Sequence, residues 1–193
     1  MITLACLTTM AKIDIREIKR KILGDVRVEA AEQFDRNFER ESFFGEAWQR
    51  KKSPVGGKHL LVKSGALRRS IKSRVDADSV TFESSLPYSA IHNEGGEIRV
   101  TARMKRYFWA MYYKATGGFG RRKDGSLRQD KKNARLSTEA EFWKHLALMK
   151  VGSKVKIPRR RFIGAHPELE RAVTSVIERR LEEYFNNADI IDK

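Results

Sequence analysis

From residue 14 onward, apolar side chains recur at steps of three and four: Ile15, Ile18, Ile22, Val26, Ala30, Phe34 and Phe38. That spacing predicts a long amphipathic helix over residues 14–43, with one apolar stripe. Asp14 followed by Glu17 reads as a capping box, and Gly24 weakens the middle. The stripe is expected to pack on a sheet, with a partner protein as the alternative. The period then changes. Gly45, Pro54, Gly56, Gly57 and the run Arg50-Lys51-Lys52 mark residues 45–58 as a loop. Two strands follow, at 70–75 and 79–84, around the turn residues Asp76-Ala77-Asp78. In the second, Val80 and Phe82 alternate with polar neighbours, as a half-buried strand requires. A short helical turn is expected over 88–93, after Pro87. Gly95-Gly96 then breaks the chain, and residues 97–101 read as another strand.

Met104, Tyr107, Phe108, Met111 and Tyr112 share a helical face that ends near Gly117-Gly118. Residues 119–132 are polar, basic and punctuated by glycine, with Asp124-Gly125 as their turn. A second helix is expected over 137–149, capped by Thr138 with Glu141 and burying Phe142, Trp143, Leu146 and Met149. Residues 154–157 read as a closing strand. Pro167 opens the final helix, with Glu168 and Glu170 favourably placed in its first turn. Its core-facing stripe is Leu169, Ala172, Val173, Val176, Ile177, Leu181 and Tyr184, and residues 186–193 are expected to fray. There is no internal repeat. This order argues for an α+β fold. The expected form is a small antiparallel sheet packed by a long N-terminal helix and a C-terminal helix, with an inserted basic helix–loop–helix excursion. Residues 1–10 are expected to be a disordered tail, or to lie upstream of a natural start at Met10. Residues 11–193 then form a single domain, with the basic arm inserted at about 102–153.

Composition agrees with a folded chain. The 193 residues suffice for a real core, and 40% are apolar. No apolar run approaches the roughly 20 residues that cross a bilayer, so a soluble chain is expected. The one cysteine, Cys6, makes neither an internal disulfide nor a metal cluster, and this fits a reducing cytosol. Charge changes the picture more. The formal net charge is +15, and residues 102–161 hold 18 Lys/Arg against four acids, a net of +14. Such a block attracts polyanions, with strong salt dependence. Nucleic acid and an acidic face of a partner protein remain open as its target.

Three ordered clusters carry a further signal. The first is Trp48 followed by Leu60-Leu61-Val62-Lys63-Ser64-Gly65-Ala66-Leu67-Arg68-Arg69-Ser70-Ile71. The second is Pro87-Tyr88-Ser89-Ala90-Ile91-His92-Asn93-Glu94-Gly95-Gly96, and the third Ile157-Pro158-Arg159-Arg160-Arg161-Phe162-Ile163-Gly164 before the final helix. Together they resemble the phage virion morphogenesis family, which includes tail completion proteins. Its members show a Ser/Thr-Gly-x-Leu-Arg-x-Ser-Ile block, a Tyr-x-x-Ile-His block and an Ile-Pro-x-Arg-x-Phe-x-Gly block. The match spans about residues 45–100 and 155–185. It departs from the pattern at Arg161, where a second proline is common, and at Glu94-Gly95-Gly96.

The resemblance implies a non-enzymatic structural protein of the head–tail junction, prophage-encoded and without cofactors. It implies action as a ring of copies through surface complementarity, in the virion and, during assembly, in the host cytoplasm. The implied partners are other phage neck and tail proteins and further copies of the chain, with neither a membrane nor a small-molecule substrate.

The residues of the blocks also have physical readings of their own. Gly65, Gly95 and Gly96 suit tight turns at positive φ. Leu67 and Ile71 can be buried by one helical turn, leaving Arg68 and Arg69 outward. Pro158 sets an extended entry and holds Ile157 in β geometry, and Phe162 is expected to plug the core beneath the last helix. Structural roles are therefore expected for Trp48, Leu61, Ser64, Gly65, Leu67, Arg68, Ser70, Ile71, Tyr88, Ile91, His92, Asn93, Gly95, Gly96, Ile157, Pro158, Arg160, Phe162 and Gly164, with direct subunit contact as the alternative.

Catalysis has thin support. His92 is able to act as a general base, and Ser64, Ser70 and Glu94 are available, but no spacing favours a triad. A hydrogen-bonded structural histidine is the expectation. His59, His145 and His166 are scattered without metal-ligand spacing. Gly117-Gly118-Phe119-Gly120 before Arg121-Arg122-Lys123 lacks the Gly-Lys-Ser/Thr ending of a phosphate loop and reads as a flexible hairpin tip. The candidate contacts to DNA or an acidic partner are Arg121, Arg122, Lys123, Arg128, Lys131 and Lys132. Tyr112, Tyr113 and Phe119 are able to stack on bases, although their spacing favours packing. The rival reading is a nucleic-acid-binding module built on residues 102–161.

Overall fold

A computed structural model describes residues 14–57, 59–62 and 64–191, with side chains described to Asn186. The expected tail at 1–10, its Cys6 and the start at Met10 lie outside the described residues. The fold is α+β, and no described helix is long and apolar enough to cross a membrane.

Helix α1 spans Ile15–Arg40, and the Asp14 carboxylate accepts from the backbone N–H groups of Arg16 (3.0 Å) and Glu17 (3.2 Å). That satisfies two of the donors every helix start leaves open. The helix ends three residues earlier than its apolar spacing predicts. Glu41 turns left-handed, and the tight hairpin β1 (Ser42–Phe43) and β2 (Glu46–Ala47) follows. Buried Asn37 decides this exit: its Oδ1 accepts from Phe44 N–H, and its Nδ2 donates to the carbonyl of Phe162. The stripe buries only its second half. Ala30, Phe34 and Phe38 are inside, while Ile15 is 71% exposed.

A short helix α2 (Ala66–Ser70) leads into β3 (Ile71–Val75), which pairs antiparallel with β4 (Val80–Ser84) in the register Ile71↔Ser84 to Val75↔Val80. Helix α3 (Ser89–Glu94) precedes β5 (Gly96–Arg99), and β5 pairs antiparallel with β6 (Lys154–Ile157). The strands thus form three separate two-stranded ladders. Between β5 and β6 runs a helical hairpin, α4 (Ala102–Gly117) and α5 (Lys131–Leu148). The last helix, α6 (Pro167–Ile191), packs along α1. It passes residue 186, where fraying was expected, and stays helical to Ile191; Asp192 and Lys193 lie outside the described residues.

Two apolar clusters hold the chain. In the body, Phe38, Trp48, Leu60, Leu67 and Phe162 pack together, and Phe162 is 0% exposed. Its ring meets Phe38 of α1 at 5.1 Å between centroids. In the hairpin, Phe108, Trp143 and Ala147 pack with Val55 from the loop before α2. Burying each large ring contributes roughly 1.5–3 kcal/mol against leaving it in water.

Helix α5 begins six residues earlier than its sequence spacing predicts. Its cap is Asp130, whose carboxylate accepts from Asn133 N–H at 2.8 Å. Thr138 is no cap: its hydroxyl donates to the carbonyl of Ala134 inside the helix. Lys131 and Lys132 are therefore helical rather than part of the loop.

Candidate partner-contact surface

The three sequence blocks meet in space and are tied together by hydrogen bonds. Trp48 Nε1 donates to the carbonyl of Arg161 at 2.7 Å. Asn93 Oδ1 accepts from the N–H groups of Phe162 (2.9 Å) and Ile163 (3.1 Å), and the carbonyl of His92 accepts from Arg160 N–H at 2.8 Å. Arg160 is 7% exposed, and its Nε donates to the carbonyl of Gln49. Gly95 has φ +74, and a Cβ there would lie 2.9 Å from the backbone nitrogen of Arg159. Glycine is what lets β5 run close to the third block. Ser70 Oγ donates to the carbonyl of Leu67 and shares a hydrogen bond with Ser84 Oγ, both at 2.7 Å.

Residues 14–182 match the model of the phage virion morphogenesis family. The chain belongs to that family. No curated protein and no solved structure matches it. Membership gives the chain a part in assembling a phage particle.

The remaining block residues of this family member are mostly packed. Leu67 is buried, while Leu61, Ile71, Ile91, Ile157 and Pro158 are half-buried. Gly65 and Gly164 have positive φ, as does Leu61 at +58. Ser64 and Tyr88 are exposed, and Tyr88 stands edge-on to His92. Two readings change. Arg68 does not point outward: its guanidinium bonds Asp35 and Glu39 of α1, and the Asp35 hydrogen bond foremost holds its pKa above the ordinary value. His92 is not held by side-chain hydrogen bonds, because its Nδ1 is buried without a partner. Burial first, and then the Arg160 charge, hold its pKa below the usual histidine value.

The three side chains considered as partners of that ring are bonded elsewhere. Ser70 is engaged as described, Ser64 Oγ accepts from Ala66 N–H, and Glu94 accepts from Asn93 Nδ2. Among the described residues no group of three His, Cys, Asp or Glu could hold a metal.

The hairpin differs. Gly117-Gly118-Phe119-Gly120 forms its shoulder, where buried Asn133 accepts from Gly120 N–H and donates to the carbonyls of Gly120 and Arg128. Beyond it the chain turns at Asp124-Gly125, with Arg121 bridged to Leu127. Asp124 is held ionised below its ordinary pKa by hydrogen bonds from Ser126. Arg121, Arg122, Lys123 and Arg128 stand on this turn and Lys131 and Lys132 on the first turn of α5, all exposed. None of the six pairs with a carboxylate among the described residues. Beside them lies an open groove of about 1030 Å³, lined by Phe119, Leu127, Arg128 and Lys131. Tyr112 and Phe119 are half-buried, while Tyr113 is 65% exposed and stacks on Trp109.

The sequence reading gave Arg159, Arg161 and His166 no functional role. The structure sets them around one small cleft with Phe43 and Trp48. The available signals were the unbroken arginine triplet and an arginine where the family commonly has proline.

Proposed function

We propose that this chain completes the tail at the head–tail junction, where it works as a ring of copies through surface complementarity and without chemical turnover. The family match over residues 14–182 carries this reading. The packing supports it, because the block residues fix the body's shape, while the six tip cations have no carboxylate partner among the described residues. Residues 11–193 act as a single domain with the basic arm inserted at about 102–153. The protein acts in the host cytoplasm during assembly and stays in the virion. Its partners are neck and tail proteins. Closed symmetry suits a repeated subunit of this kind.

The test is joining. Heads and tails from phage lacking the gene should stay separate by electron microscopy and join when purified protein is added. Equal joining without the protein overturns the reading.

A second role has its own observation. Lys131 and Lys132 occupy the first turn of α5, where the helix dipole repels cations, and they adjoin the exposed cations of the turn with the Asp130 cap as the acid beside them. A bound polyanion relieves that repulsion. Sequence-independent contact with DNA passing the junction fits, since phosphate neutralisation needs no base readout. Duplex binding that falls steeply with salt, and is lost on reversing Arg121, Arg122, Lys123 and Lys131, supports it. Retention after reversal excludes it.

A further inference from the structure

We infer that the cleft between β1–β2 and the 159–166 segment is a receptor for a carboxylate, supplied by an acidic side chain of a neighbouring protein chain. The site rests on the assembly reading only for the source of that carboxylate.

The cleft measures about 250 Å³ and is lined by Phe43, Glu46, Ala47, Trp48, Arg159, Arg161 and His166. Its geometry is that of a prepared guanidinium. Arg161 lies over the Phe43 ring, with Cζ 4.6 Å from the centroid. Its other side rests on Gly164 so closely that a Cβ there would clash with the guanidinium. Its backbone carbonyl is tied to buried Trp48. The group is thus held flat before any ligand arrives, which lowers the ordering cost of binding.

It is also underused. Arg161 Nε is buried and has no hydrogen-bond partner. Neither Arg159 nor Arg161 forms an ion pair among the described residues, whereas Arg68 and Arg180 each contact two carboxylates. His166 adds a second polar wall. It stacks on Phe44 at 4.5 Å, and its Nδ1 accepts from Glu168 N–H, which leaves the neutral ring's proton on Nε2.

A planar fork laid on the Phe43 ring matches the two oxygens of a carboxylate. The narrow cleft admits one side chain, whereas a duplex lays its phosphates across a broad face. Glu46 is the one acid on the rim, and its charge opposes the ligand.

Trp48 reports on the site, because its indole N–H is bonded to the residue that would bind. Full-length protein is titrated with a hexaglutamate peptide at low salt, and its three indole N–H signals are followed by NMR. The Trp48 signal should move while those of Trp109 and Trp143 stay. Arg161→Met should weaken binding by about tenfold or more, the usual scale for a lost charge-assisted bond, and Glu46→Gln should tighten it. Both variants keep the Trp48 bond to the backbone, so unchanged free-state signals confirm the fold. An unmoved Trp48 at saturation, or equal affinity in Arg161→Met, overturns the site. Equal movement with inorganic phosphate or duplex DNA overturns the carboxylate assignment. These outcomes are independent of head–tail joining, so the site and the assembly role fail separately.

Discussion

Arginine does opposite work in the two halves of this molecule. In the body, Arg68 sits between Asp35 and Glu39, Arg180 between Asp25 and Glu183, and Arg160 is buried against the carbonyl of Gln49. Each ties together segments far apart in sequence. In the α4–α5 hairpin, residues 102–148 hold 12 Lys/Arg against four acids, and the ion pair within it joins Arg135 to Glu139. There the apolar cluster of Phe108, Trp143 and Ala147 does the folding, and the charge is left over. The body spends these three arginines on shape. The hairpin displays its charge.

The largest expected effect breaks the body. Phe162→Ala removes a ring with no exposure and leaves a cavity against Phe38 and Trp48. A loss of about 3–5 kcal/mol is expected in urea unfolding. A loss under about 1 kcal/mol would show that the three blocks do not converge on this ring.

Asn133→Ala should come next, at about 1–3 kcal/mol, because it orphans the Gly120 N–H and the Arg128 carbonyl. Faster hydrogen exchange should be confined to the turn at 118–130. Exchange spreading into β3 and β4 would mean that the halves are not separable.

His92 gives a smaller, pH-dependent effect. Burial and then Arg160 depress its folded-state pKa below the ordinary value of about 6.5. As pH falls through 6.5 the unfolded chain takes up the proton first, so stability is complete above that value and declines toward the folded-state pKa. Unfolding at pH 7.0 and 5.5 should show a larger drop for the natural protein than for His92→Gln. Superimposed profiles would remove His92 from the account.

The smallest effect on stability falls on the tip. Reversing Arg121, Arg122, Lys123 and Lys131 to Glu should leave unfolding within about 0.5 kcal/mol, as expected for exposed surface, while polyanion retention at low salt collapses. A large stability loss would show that these cations are structural after all.

Much of this was legible in the chain. Apolar periodicity located every helix longer than eight residues, and alternation at Val80 and Phe82 placed β4 within a residue. It failed where a side chain from elsewhere intervened. The first helix was expected to run to residue 43, but Asn37 bonding to Phe162 and Phe44 ends it at Arg40. The start of α5 was missed because Asn133 is polar and carries no apolar signal, although it is buried by its own hydrogen bonds to the turn. Of the candidate contacts, the cationic tip was legible from composition alone.

The sequence by itself determined the α+β order, the family and the segregation of positive charge, because periodicity and composition are local properties of the chain. Tertiary structure decided which arginines are matched and which are free. For Arg68 and Arg180 the pairing depends on carboxylates brought from 29 to 155 residues away, and no local pattern encodes that distance.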